Sequence, residues 1–412
     1  MHQSRSGKAF ETAFYPHVFV DSSANTSTLS IAQIFFNLNP INFFIISGFV
    51  QNLILAGVLF FDRTDQARAN RNLALAILAI DLHIGYMMLL DTNLDNMFPG
   101  LLWVPYSFVT VVGPLLYFYV QERTGNSPKR ITRHLLPLAL ELVFQAIMIG
   151  YAAYNDVLYY NTPFYFYFTP IIYAIAGVSV FYYLWLSLRL IKGYETWAID
   201  NFSNLKEVTL RWLERFIVSF RALWMVWIPF MAIFLLFFRY QLQYPVIVLT
   251  LYLLLLGLTY VAFGISIAAI RHPYFIVVPP PSERSQSKNF AKLTDSTIQS
   301  YVGQINSLMS REKLFLNENL SLKDVASALN VDQNLISHVL NSHLGKTFHD
   351  FINEFRIEAV KAKIVDPAWN HLTILGIAMD CGFNSKTTFN RVFRQATGMT
   401  PTEFQRKQKN AS

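Results

Sequence analysis

Four stretches of this chain, residues 41–61, 97–120, 164–188 and 245–270, contain no Asp, Glu, Lys or Arg. A helix needs about 20 mostly apolar residues to cross the roughly 30 Å hydrocarbon core of a bilayer, and each stretch is that long. Three further segments qualify with one ionisable interruption each: 73–90 around Asp81, 135–154 around Glu141 and 217–238 around Arg221. Beyond residue 282 no such segment occurs. With 14% charged residues against about a quarter in soluble domains, the chain reads as a seven-helix membrane domain followed by a soluble tail.

Loop charge sets the expected orientation, because Lys and Arg accumulate on the cytoplasmic side. Three connections hold twelve of them: Arg63, Arg68 and Arg71; Arg123, Lys129, Arg130 and Arg133; Arg189, Lys192, Lys206, Arg211 and Arg215. The opposite side holds Arg5, Lys8 and Arg239. The bias predicts an outside N-terminus and a cytoplasmic C-terminus in a multi-pass membrane protein. Residues 5–29 scatter polar and charged side chains where the apolar core of a secretory leader would stand. The expected division is an extracytoplasmic tail over 1–40, a seven-span domain over 41–270, a Pro- and Ser-containing cytoplasmic joint over 271–293 and a helical domain over 294–409.

Ionisable groups inside a bilayer are costly and usually pair or line a polar cavity. Asp81, Glu141 and Arg221 lie at similar depth in their spans, so the sequence suggests one cluster tying spans two, four and six together. Each group bordering the cytosol separately is the alternative. The aromatic residues of 159–168, with Trp103, Tyr106, Tyr151 and Tyr154, form an outer rim, read as an interfacial belt or as part of an outward pocket. Residues 194–216, with Trp197, Phe202, Leu205, Val208, Trp212 and Phe216, read as an amphipathic helix on the membrane surface.

The tail is patterned for helices throughout, so the fold class is all-α. LKDVASAL, a short Asn330-Val331 turn and DQNLISHVL have the length and apolar spacing of a helix-turn-helix, opened by Ser321 and Asp324 as cap and box. About fifty residues later the pattern returns: TILGIAMDCG, a Gly382-Phe383 turn and NSKTTFNRVFRQATG. Between the copies, Phe348, Phe351, Ile352, Phe355 and Ala359 form one stripe of a long helix over 347–365. Two helices held by a rigid rod can enter successive major grooves about 34 Å apart, where base edges are distinguishable.

The outward positions of the first copy are Gln333, Asn334, Ser337 and His338; those of the second are Ser385, Lys386, Thr387, Asn390, Arg391 and Arg394. Asn and Gln suit adenine edges, and Arg and Lys suit guanine edges or phosphates. Residues 283–412 carry 16 Lys plus Arg and 12 Asp plus Glu, a net of +4, so a clustered face rather than total charge must attract double-stranded DNA. Arg356 is expected to be a buried structural pair with an acidic neighbour or a DNA contact. His343 and His349 are read as surface residues, and the single cysteine, Cys381, as a small core hydrophobe.

Residues 294–409 resemble the DNA-binding domain of AraC-type (AraC/XylS) bacterial transcription regulators. The resemblance rests on Arg356-Ile357-Glu358, Ile377-Ala378, Gly382-Phe383, Phe389-Asn390-Arg391-Val392-Phe393-Arg394, Gly398-Met399-Thr400-Pro401 and Phe404. Cys381 departs from the family's usual apolar residue and His338 from a frequent Arg. Taken with the apolar spans, the resemblance implies a one-component regulator embedded in a bacterial cytoplasmic membrane that answers an unknown small-molecule or envelope signal, and the paired sites of such regulators favour a homodimer on DNA. No catalytic motif, metal-ligand spacing or cofactor fingerprint is present in the sequence, so no catalytic residues, metal or cofactor are expected. Two competing readings are a transporter- or channel-like protein with a cytoplasmic protein-interaction tail, for which Gly113-Pro114 is the one breaker pair within a span, and an intramembrane enzyme using Asp81 and Glu141.

Overall fold

A computed structural model describes residues 40–92, 105, 107–128, 130–155, 163–205, 208–240, 244–271 and 294–410. The N-terminal tail, Trp103, Tyr106, Tyr159 and Tyr160 of the outer aromatic rim, and nearly all of the joint lie outside these residues. The N-terminal part contains α1 (Pro40–Phe60), α2 (Ala67–Asp91), α3 (Val109–Arg123), the short α4 (Ile131–His134), α5 (Leu136–Asn155), α6 (Pro163–Asn201), α7 (Arg211–Tyr240) and α8 (Tyr244–Arg271). Among the described residues, four helices are long and apolar enough to cross a membrane: Pro40–Phe60, Ala67–Leu89, Leu136–Asn155 and Thr169–Asn201. Leu255–Arg271 is a shorter apolar helix.

Helices α1, α2, α3, α6, α7 and α8 pack each on the next, α8 returns onto α1, and α5 lies against α3 and α6. Helix α3 is apolar nearly all round and accordingly buried nearly all round. Its Gly113 permits close approach to α6, since a Cβ there would come within 3.1 Å of the Val180 Cα and 3.3 Å of the Ser179 carbonyl. Many side chains on the outer helices instead expose apolar surface, including Phe43, Phe44, Ile54, Ile147 and Val178. A water-soluble core protein would cover such a surface; a lipid-facing one leaves it bare.

Among the described residues no hydrogen bond or ion pair joins Asp81, Glu141 and Arg221 to one another. Asp81 accepts a hydrogen bond from Asn52 Nδ2 at 3.2 Å, and the same amide points at the Thr259 carbonyl at 3.5 Å, joining α1, α2 and α8. Glu141 Oε2 accepts from the Thr110 amide at 3.2 Å and its hydroxyl at 2.5 Å, so the carboxylate caps the start of α3. Four residues on, Gln145 pairs with both backbone groups of Ser107. Among the described residues no ion pair joins Arg221 to either acid. Neutral partners and a helix N-terminus meet these carboxylates nearer to hand than a third helix can.

Nor do residues 194–216 form a separate surface helix. Residues up to Asn201 prolong α6, a turn follows, and α7 starts at Arg211. The apolar positions that suggested a membrane-lying face pack the two arms together: Ile191, Tyr194 and Ala198 share a core with Val208, Leu210 and Leu213, and Tyr194 Oη donates to the Val208 carbonyl at 2.9 Å. Arg123, counted above as a loop charge, is buried at the end of α3, donates to Asn70 Oδ1 at 3.3 Å and lies over the Tyr119 ring.

The C-terminal part is helical: α9 (Asp295–Glu312), α10 (Leu322–Leu329), α11 (Gln333–His338) continued by a π turn, α12 (Phe348–Val365), α13 (Ile374–Asp380), α14 (Lys386–Thr397) and α15 (Pro401–Lys409). It holds two cores. One gathers α9–α11 on Phe348, Phe351 and Ile352; the other gathers α13–α15 on Ile357, Val360 and Ile364. Both are thus strung on successive turns of α12.

Candidate nucleic-acid interface

In the first helix-turn-helix, α10–α11, Ser321 and Asp324 form the expected reciprocal box: the Ser hydroxyl accepts from the Asp324 amide and the carboxylate from the Ser321 amide. Asn330 turns the chain in the left-handed region at φ +53, which Asn tolerates better than most residues. Asp332 caps α11 through the Asn334 amide at 2.6 Å. Gln333, Asn334, Ser337 and His338 are all half-buried. Ser337 also accepts from Asn341 at 3.3 Å, and His338 Nδ1 lies 3.2 Å from the Ser342 hydroxyl.

The second unit, α13–α14, is built for display. Phe389 and Phe393 turn inward into a chain of ring contacts with Phe383 and Phe404, with centroids 5.3 to 5.5 Å apart. Helical geometry then forces the residues between them outward. Lys386, Thr387, Asn390, Arg391 and Arg394 are exposed, and 387, 390, 391 and 394 form one i, i+3, i+4, i+7 stripe. Ser385 is half-buried and serves as the N-cap, accepting from the Thr388 amide at 3.4 Å. The exposed row holds three cations and no carboxylate, so it suits phosphates and acceptor-rich base edges.

Two residues occupy other places than the sequence suggested. Arg356 is buried, but its partners are carbonyls rather than an acid: Nε donates to Phe315 O and Nη2 to Asn317 O, both at 2.7 Å, and Nη2 also to the Ser203 hydroxyl at 3.0 Å. Burial lowers its pKa to about 10, opposed by the nearby Glu318, so it stays charged at neutral pH. His349, expected on the surface, is 4% exposed. Its Nδ1 faces the Ser203 carbonyl at 2.9 Å and its Nε2 the Asn353 amide nitrogen at 3.0 Å, a set that suits the neutral ring protonated on Nδ1. Neither Ser203 nor this use of His349 has a local sequence signature, because the contact joins residues 146 positions apart.

Burial holds the His349 imidazole below the ordinary range; Arg391 and Arg356 act in the same direction, and the Ser203 bond and Asp350 oppose. The unfolded chain therefore takes up this proton more readily than the folded one. The contribution is full above the unfolded pKa of about 6.5 and is lost as pH falls below it toward the lower folded value. The midpoint of thermal unfolding of the full chain is expected to drop between about pH 7.5 and pH 5.5, and His349→Gln to shrink that drop. An undiminished drop in the variant would assign the effect elsewhere. Cys381 is buried and its thiol is pushed up to about 11 by that burial, which makes it a core residue rather than a reactive one.

Residues 325–407 match the family model described as a helix-turn-helix domain. Over 101 residues, or 24% of this chain, the sequence is 31% identical to an uncharacterized HTH-type transcriptional regulator of Staphylococcus aureus strain COL, covering 13% of that protein. Over 90 residues, or 22% of this chain, it is 27% identical to the probable transcriptional regulator LumQ of Photobacterium leiognathi, covering 35% of that protein. No solved structure matches. The C-terminal part of the chain is an AraC-type helix-turn-helix domain of transcriptional regulators, preceded by long apolar helices that suggest a membrane region.

Proposed function

We propose that the chain is a one-component transcription regulator embedded by seven spans in a bacterial cytoplasmic membrane, with its N-terminus outside and its C-terminal domain in the cytoplasm. The domain limits are those of the sequence: a tail over 1–40, spans over 41–270, a joint over 271–293 and the double reader over 294–409. The observation that carries the reading is the exposed row Lys386, Thr387, Asn390, Arg391 and Arg394, set outward by a phenylalanine core in an AraC-type domain. Gln333, Asn334, Ser337 and His338 form the other reading surface, with Ser385 at the edge of the second. Among the described residues, four helices long and apolar enough to cross a membrane and further apolar helices at the other expected places support the topology, as does the twelve-to-three distribution of loop cations.

The two units engage successive major grooves of one duplex face. A small-molecule or envelope signal acts on the membrane domain, and it changes DNA binding only so far as it favours one arrangement of the reader. Two copies pair on neighbouring sites. Full-length protein in lipid nanodiscs is expected to retard genomic duplex fragments at about 50 mM salt, with affinity falling steeply as salt rises. Indifference to every duplex at that salt would overturn the assignment.

A further inference from the structure

We propose that Ser203, at the tip of the α6–α7 hairpin, is a positioning residue through which the membrane domain fixes the two helix-turn-helix units relative to one another. Arg356 is the hub of that contact. This inference rests on the DNA-reading proposal for its purpose, though the contact itself is testable without DNA.

A tether needs a covalent linker and nothing more, yet Ser203 is 2% exposed and every polar atom it has is engaged by the reader domain. Its amide donates to the Leu320 carbonyl at 3.1 Å and its hydroxyl to the same oxygen at 2.7 Å. Its carbonyl faces His349 at 2.9 Å, and its hydroxyl accepts from Arg356 at 3.0 Å. On either side, Phe202 pairs with Ser321 as an antiparallel bridge and Asn204 Nδ2 donates to Asn319 Oδ1 at 3.2 Å. The backbone of the hairpin tip therefore continues into the segment that opens α10, and its side chains reach α12.

The hub is where both units converge. The remaining donors of Arg356 hold Phe315 and Asn317, in the loop that leads into the first unit. The turn of the second unit presses on the same place: a Cβ on Gly382 would lie 2.5 Å from the Phe315 carbonyl and 2.9 Å from Arg356 Nε. One guanidinium thus touches the first unit's loop, the second unit's turn and the membrane hairpin. The hairpin arms are cemented by their own apolar core and by Tyr194 on Val208, so the tip moves only with α6 and α7. A shift of those helices must either carry the hub along or break it, and both change the register of the readers.

The test uses the full chain in nanodiscs. Asn204→Cys with Asn319→Cys is expected to cross-link under mild oxidant, against a low background because Cys381 is buried. Absence of a cross-link overturns the contact. Duplexes selected from a random library are then compared with the same duplexes carrying about five extra base pairs, half a helical turn, between half-sites. Ser203→Leu, which has no room in the contact, is expected to reduce the preference for the unaltered spacing by about tenfold, an ordinary size of coupling, while affinity for a single half-site stays unchanged. The cross-linked chain keeps the preference. An unchanged preference in Ser203→Leu overturns the positioning role. Should that variant lose half-site binding through misfolding, Ser203→Ala decides by the same ratio. Wild-type protein that cross-links but ignores all duplexes would refute the DNA reading and leave the contact standing.

Discussion

Replacing Lys386, Arg391 and Arg394 together with alanine is expected to weaken binding of duplex DNA by about two to four orders of magnitude, with helicity and melting temperature nearly unchanged. Each of these side chains is exposed on α14, and none belongs to the phenylalanine core beneath it. Base or phosphate contacts of this type are worth about 1–3 kcal/mol each, and loss of three phosphate-neutralising cations should flatten the dependence of log affinity on log salt by up to about three units. Single variants divide the roles. A residue on phosphate lowers affinity for all sequences alike, whereas one on a base edge relaxes the choice of base at one position. Titrations at two salt concentrations on specific and scrambled duplexes measure both effects. An affinity loss below about threefold for the triple variant would place the reading surface elsewhere.

Gly382→Ala is expected to be the most damaging single-methyl change in the C-terminal domain, destabilising it by about 2–5 kcal/mol. Two costs add. The residue sits at φ +89, where L side chains are strained, and the new Cβ would meet the Phe315 carbonyl at 2.5 Å, a backbone atom that cannot swing away. Gly398→Ala separates these terms, because its φ is +76 but no atom lies within 4 Å of its Cβ position, so only the conformational cost of about 1–2 kcal/mol should appear. Denaturant melts of the two variants against wild type give the comparison, and equal losses would remove the argument from crowding at the hub.

What the sequence made legible is what physical chemistry writes locally. Charge-free runs marked the apolar helices because a single lysine or aspartate in lipid is expensive, and among the described residues four helices at those runs are long and apolar enough to cross a membrane. The second helix-turn-helix was legible because Phe389 and Phe393 repeat at helical spacing and Gly382 is demanded by its backbone angle. The partners of buried polar groups were not legible. Asp81 and Glu141 suggested a pairing with Arg221, whereas one oxygen of each is met by Asn52 and by Thr110 respectively. Amphipathic residues after 194 fitted a membrane surface as well as a second helix arm, and periodicity alone does not distinguish the two. Arg356 read as an acid-paired residue or a DNA contact, and His349 as a solvated one, because a partner they share, Ser203, lies far away in the chain.

Helix α6 runs for 39 residues. Its last thirteen, from Arg189, extend about 20 Å past the end of the charge-free stretch at the usual helical rise. That distance is about the thickness of a nucleic-acid double helix. On the proposed topology, the protein holds out its gripping surface on a strut, away from anionic headgroups that would repel an approaching phosphate backbone. On that proposed topology the protein stays in the membrane and the chromosome brings the operator to the envelope, which would make the position of the regulated locus within the cell part of the control circuit.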